Sequence, residues 1–166
     1  MKKYAKIIDE KKKICSVAIG TDTEFYKSIG MTEMEVEQAY NGQWYVKGYA
    51  PTQPLEELKA QKLTELKTIR DTEEVKPIAY NGNSYDYDDK ARDRINSAII
   101  ALSITGQSIE WTTADNTNVL VTADDLRGVV ANVAVRSNDL HVKYRELKEQ
   151  VEACESKEEL EKIVWE

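Results

Sequence analysis

One histidine, two cysteines and no long apolar run: these scarcities narrow the functions open to this 166-residue chain. His141, Cys15 and Cys154 lie far apart in sequence, whereas zinc sites draw Cys and His ligands from closely spaced pairs. No metal or other cofactor is expected. No stretch approaches the ~20 apolar residues of a membrane helix. No apolar segment follows Met1-Lys2-Lys3-Tyr4, so no secretory signal is expected, and the cysteines read as buried free thiols in a reducing compartment. Gly-x-Gly-x-x-Gly, P-loop and Gly-x-Ser-x-Gly motifs are all missing. A surplus of positive charge is missing too. The net charge is −7, which repels a phosphate backbone and argues against nucleic acid as a partner.

Catalysis finds few candidates. A lone imidazole needs a nucleophile or an orienting carboxylate beside it. Asp139 is close to His141 in sequence but does not face it on a helix, and Arg145 one turn on opposes protonation. Asp86, Asp88 and Asp89 lack the ligand spacing of a calcium loop and read as helix capping; Asp115, Asn116 and Asn118 read as turn residues. No catalytic residue is assigned, and a non-enzymatic protein is expected.

What is present is structure. The charge divides unevenly: residues 1–52 hold 8 Lys+Arg and 7 Asp+Glu, leaving 15 and 23 for residues 53–166. Pro51 and Pro54 bracket that change, which predicts two modules, 1–52 and 53–166. In the first, Tyr4–Ile8 and Ile14–Ile19 alternate as strands around a solvated Lys11-Lys12-Lys13 turn. A short helix is expected from Thr23 to Gly30. Residues 32–37 are ambiguous, and Asn41-Gly42 predicts a type I′ hairpin turn.

In the second module a helix is expected from Pro54 to about Arg70, with Leu55, Leu58, Leu63, Leu66 and Ile69 on one side. A hairpin at about 77–87 turns on Asn81-Gly82. Asp88 caps a further helix that Gly106 ends, with Ala91, Ile95, Ala98, Ile99 and Leu102 facing inward. Another hairpin spans about 109–121, and Thr122 with Asp125 opens a long helix to about Cys154. Leu126, Val130, Val133, Ser137, Leu140, Tyr144, Leu147, Val151 and Cys154 form a heptad seam along it. Ser156 caps a last helix, 157 to about 164. Ala-Tyr-Asn-Gly recurs at 39–42 and 79–82 without extending on either side, so it reads as two independent turns. The fold class is α+β: a small antiparallel N-terminal β module, then a helical domain with inserted β-hairpins and a long C-terminal helix.

The aromatics suggest recognition. Tyr40, Trp44, Tyr45 and Tyr49 cluster on the first Asn-Gly hairpin, and Tyr80, Tyr85 and Tyr87 on the second. Tyr and Trp are enriched where partners bind. Tyr40, Trp44, Tyr45, Tyr49, Tyr85 and Tyr87 are therefore the candidate contact residues, against the competing reading of cross-strand pairs in a thin sheet.

Two stretches carry a resemblance. Tyr-Ala-Lys-Ile-Ile, with Phe25-Tyr-Lys-Ser-Ile-Gly-Met-Thr-Glu-Met-Glu-Val-Glu-Gln-Ala-Tyr-Asn-Gly-Gln-Trp-Tyr-Val-Lys-Gly-Tyr-Ala-Pro51 after it, resembles the head of small tailed-phage and prophage proteins. Tyr85-Asp86, Ile-Glu-Trp111-Thr-Thr-Ala-Asp115-Asn116, Thr122-Ala-Asp-Asp-Leu126 and a long helix ending in Glu-Glu-Leu160 are similar to a domain of unknown function found in the same setting. The resemblance implies a tail or tail-fibre accessory protein, structural or an assembly chaperone. Its partner would be a tail-fibre or baseplate protein, in the host cytoplasm during assembly or in the virion tail. It supplies no catalytic residues. A weakly held homo-oligomer is also expected. An alternative is a phage-encoded inhibitor of a host defence protein, for which the acidic segment 146–166 would be the contact face.

Overall fold

The computed structural model describes residues 1–166, and the chain divides into two compact units, Met1–Pro54 and Leu55–Glu166. In the first, β1 (Lys2–Asp9) and β2 (Ile14–Gly20) pair antiparallel. The lysine cluster is the turn between them. The Asp9 carboxylate accepts the backbone N–H groups of Lys11 and Lys12, each at 3.0 Å, and Lys13 takes a left-handed φ of 56°. Helix α1 (Thr23–Ser28) starts on the side chain of Asp22, which accepts the Phe25 N–H.

The ambiguous stretch resolves into two short strands, β3 (Thr32–Glu33) and β4 (Val36–Gln38), with β5 (Trp44–Val46) after them. The sheet order is β3-β1-β2-β5-β4. Its two outer strands are therefore neighbours in sequence, separated only by Met34-Glu35. One short segment pairs with β1 at its start and β5 at its end, so the sheet curls back on itself. Curling gives five thin strands an inside, while α1 covers Tyr4 on the other face through Tyr26 and Thr23. Ala5, Cys15 and Val36 are buried there, ringed by Ile7, Val17, Met34, Trp44 and Val46. The Asn41-Gly42 turn is not type I′, which requires positive φ at both residues. Only Gly42 is left-handed (φ 78°); Gly42 N–H donates to Ala39 O and Ala39 N–H to Gln43 O, both at 2.9 Å, closing a three-residue loop. The extra residue explains the difference.

The second unit contains α2 (Leu55–Glu74), β6 (Ile78–Tyr80), β7 (Asn83–Tyr85), α3 (Asp89–Thr105), β8 (Ile109–Thr112), β9 (Asn118–Val121), α4 (Ala123–Ala153) and α5 (Lys157–Leu160). Here the Asn81-Gly82 turn does have positive φ at both residues, 47° and 78°. Asp88 and Thr122 cap α3 and α4, and Gly106 ends α3 at φ 67°. The Thr122 cap is a complete capping box: its hydroxyl accepts the Asp125 N–H at 3.2 Å while the Asp125 carboxylate accepts the Thr122 N–H at 2.9 Å. Helix α2 runs one turn past the expected Arg70, because Asp71 to Glu74 are compatible with helix and only lack apolar residues to announce it. Helix α5 is shorter than expected, stopping at Leu160.

Helix α4 is the spine of this unit. Its 31 residues span about 46 Å and serve two separate cores. Around its first half, Leu126 and Val129 pack with Ile95 and Leu102 of α3, Trp111 and Val121 of the β8–β9 hairpin, and Tyr85. Around its last turns, Leu147, Val151 and Cys154 pack with Leu66 of α2, Leu160 and Ile163. The seam therefore packs within the unit, with α3 at one end and α2 at the other. No helix of the chain is long and apolar enough to cross a membrane.

Candidate functional site

Of the six aromatic candidates, four keep access to solvent. Tyr40 and Tyr49 are 48% and 58% exposed, while Trp44 and Tyr87 are half-buried. Trp44 turns inward against the small core, and the Lys3 ammonium sits 4.6 Å from its ring centroid. Tyr45 and Tyr85 are corrections: at 5% and 2% exposure neither can touch a partner. Tyr45 lies on a strand flanked by β2 and β4, and its hydroxyl donates to Gln43 Oε1 at 3.0 Å. Tyr85 belongs to the α3–α4 core, and burial, followed by the charge of Asp125, pushes its phenol above the usual range. Strand alternation correctly separates Trp44 from Tyr45, but it does not reveal that both faces of β5 are covered.

The two exposed tyrosines sit on two hydrogen-bonded loops, Tyr40 on the one closed between Ala39 and Gln43 and Tyr49 on the one braced by Glu37. Glu37 Oε1 accepts the N–H groups of Gly48 and Ala50 at 2.6 and 3.1 Å, and these bonds hold its carboxyl below the ordinary range. Gly48, at φ 88°, turns the chain so that Tyr49 points outward. Tyr and Trp contribute contact area at little entropic cost, and a braced loop lowers that cost further.

The second candidate is polar and sits at the waist of α4, between the two cores. Glu74, at the end of α2, receives the Ser137 hydroxyl at 2.6 Å and stands 3.2 Å from His141 Nε2. This is the carboxylate the sequence did not show, because it is far away in the chain. The order of the groups decides what they can do. In a Ser–His–acid relay the imidazole stands between hydroxyl and carboxylate. Here hydroxyl and imidazole both contact the same carboxylate oxygen, Glu74 Oε1, so the arrangement orients no base toward Ser137. Arg136 explains why Glu74 is there. Its guanidinium donates to Glu74 O and Lys76 O, each at 2.7 Å, and to Pro77 O at 3.2 Å. Glu74 O is the last carbonyl of α2, whose last turn has no basic residue of its own, and Lys76 O and Pro77 O belong to the chain just after it. The waist is a helix cap supplied from another helix. No group of three or more His, Cys, Asp or Glu side chains is placed to hold a metal ion.

The Trp111–Leu126 string also has a structural explanation. Thr113 is 2% exposed, and its hydroxyl bonds with Asp115 and Thr117 while the Thr113 N–H donates to Thr117 O at 2.8 Å. These hydroxyls hold the Asp115 carboxyl below the ordinary range. Ala114 N–H then donates to Ser84 O at 2.8 Å, tying this hairpin to the β6–β7 hairpin. The motif builds a turn and a helix start.

Comparison with curated proteins and with solved structures finds no match. Residues 57–164 match a family described as a domain of unknown function, DUF4376. That match spans α2 to the C-terminal tail, and the chain belongs to the DUF4376 family.

Proposed function

We propose that this protein is a non-enzymatic accessory protein of a phage or prophage tail, acting by protein–protein binding as a structural part or as a chaperone of fibre assembly. Its partner is a tail-fibre or baseplate protein, met in the host cytoplasm during assembly or in the virion tail. The observation that carries the binding role is the pair of exposed tyrosines, Tyr40 and Tyr49, on loops whose backbones are tied by internal hydrogen bonds. The phage setting rests on the sequence resemblance of residues 4–8 and 25–51. At the α4 waist Arg136 is committed to carbonyls at and just after the end of α2, and Ser137 and His141 share one oxygen of Glu74, which supports binding over turnover.

The test is a binding titration of the full chain against the purified tail-fibre protein of the same phage or prophage. The Tyr40→Ser/Tyr49→Ser variant should bind at least about tenfold more weakly, as loss of two aromatic contacts predicts. Unchanged affinity, or no binding by the wild type, contradicts the proposal. The inhibitor reading draws on the C-terminal segment, where residues 146–166 hold eight Glu and three Lys. It predicts a basic host protein as partner and affinity that falls steeply with salt.

A further inference from the structure

A trough runs along one face of α4. Its first part, about 480 Å³, is lined by Ile78, Val135, Asp139, Leu140 and Lys143. Its second part, about 370 Å³, begins at the same Lys143 and continues past Glu146 and Gln150, with Ile163 and Val164 of the tail, flanked by Lys162 and Glu166, as its wall. From Asn132 to Gln150 the floor is about 27 Å long, the length of five helical turns. Val135 and Val164 are 61% and 51% exposed there.

Three charges on this face, those of Asp139, Lys143 and Glu146, lack an ionic partner, while Arg136 is held by the carbonyls of Glu74, Lys76 and Pro77. Elsewhere on α2 and α4, ion pairs form within the helix: Lys59–Glu56 at 3.5 Å, Lys62–Glu65 at 3.1 Å, Lys148–Glu152 at 3.6 Å. Asp139 and Glu146 are exposed and form no ion pair, and Lys143 has only the ring of Trp165, 5.2 Å away. Their spacing is self-complementary. Asp139 and Lys143 stand equally far on either side of the level of residue 141. So do Arg136 and Glu146, and so do Asn132 and Gln150. All six point to one side of the helix at steps of three and four residues.

We propose that the occupant of this trough is α4 of a second copy, lying antiparallel across a two-fold axis at the level of residue 141. A two-fold contact sets each residue against its mirror position. Asp139 then meets the second copy's Lys143, and Lys143 its Asp139. The charge of Arg136 faces Glu146, although its hydrogen bonds remain with Glu74, Lys76 and Pro77 of its own chain. Asn132 meets Gln150, and Ile78 comes opposite the Val164 wall. A parallel pairing would instead set Asp139 against Asp139. The contact is small and polar-centred, which places it among weak, reversible associations.

Light scattering of the full chain between about 10 µM and 1 mM tests this, covering the range expected of a weak contact. The mass should rise from 18.9 kDa toward twice that value. Asp139→Lys leaves the Lys143–Trp165 contact untouched yet sets lysine against lysine twice per dimer, and should weaken association about tenfold or more. The double variant Asp139→Lys/Lys143→Asp restores both pairs and should recover association, while circular dichroism confirms that both variants are folded. A wild-type mass of 18.9 kDa throughout, dimers indifferent to Asp139→Lys, or a double variant no better than the single one overturns the proposal. So does a trough that proves to bind the tail-fibre protein, with that binding lost in Asp139→Lys.

Discussion

Gly128 offers a test in which helix propensity and packing predict opposite signs. It lies inside α4, where replacing glycine by alanine ordinarily stabilises a helix by about 1 kcal/mol. Its α-carbon, however, faces the ring of Tyr80. A β-carbon at this position would stand 2.5 Å from Tyr80 Cε2 and closer still to Cζ and the hydroxyl oxygen. Tyr80 is half-buried against the α3–α4 core, so moving the ring disturbs its neighbours. Overpacking of this kind costs about 1–3 kcal/mol. Overlap with two ring atoms and the hydroxyl oxygen places the cost toward the upper end, and the net effect of Gly128→Ala is a destabilisation of about 1–2 kcal/mol. At roughly 4 °C per kcal/mol for a unit of this size, Tm should fall by about 4–8 °C. Far-UV circular dichroism is the suitable assay, since all the long helices belong to Leu55–Glu166. In a Tyr80→Ala background the ring is gone, and the same Gly128→Ala change should raise stability by about 0.5–1 kcal/mol. A Gly128→Ala protein as stable as wild type, or the same sign in both backgrounds, refutes this account of the β6–α4 contact.

Four other perturbations probe the two units. Arg136→Ala removes the donors to Glu74 O at the end of α2 and to Lys76 O and Pro77 O just beyond it; the expected loss is about 2–3 kcal/mol by thermal unfolding, with Arg136→Lys recovering part of it. In the capping box, the Thr122 hydroxyl and N–H hold the Asp125 carboxyl below its ordinary value of 3.8. A depressed carboxylate contributes stability that is full above the unfolded value and is lost as pH falls through the folded one. Asp125→Asn should therefore be less stable at pH 7 and flatter in the acid limb below about pH 4, and parallel limbs would contradict this. Thr122→Ala should cost about 1 kcal/mol at pH 7. Burial, followed by the charge of Glu10, raises the Cys15 thiol, so iodoacetamide should modify Cys15 far more slowly in the native protein than in denaturant, as peptide mapping would read.

The sequence made local structure legible wherever side chains interact with their own neighbours. Asp88, Thr122 and Ser156 announce helix starts, and Asn81-Gly82 its turn, because capping and positive φ are decided within a few residues. The seam residues Leu126, Val133, Leu147 and Val151 are buried as their spacing suggests. What periodicity could not show is that α4 divides its seam between two cores, since the division depends on where α2 and α3 dock. The curl of the N-terminal sheet was equally hidden: β3 and β4 are two and three residues long and bond to different partners. Tyr45 and Tyr85 are buried against expectation because alternation assigns a face but not what covers it: neighbouring strands for Tyr45 and the α3–α4 core for Tyr85. Glu74 beside His141 is a long-range contact with no local signal, and so is the Arg136 cap.

The most direct test of the proposed binding role uses cells in which the phage or prophage is produced. Tagged full-length wild type and Tyr40→Ser/Tyr49→Ser would be purified side by side from cells producing the phage or induced for the prophage, with mass spectrometry of the bound proteins and of the released virions. The account predicts that a tail-fibre or baseplate protein co-purifies with the wild type in defined proportion and is depleted from the double variant. A wild type that purifies alone, or that carries a host enzyme equally well with and without the two tyrosines, would contradict it.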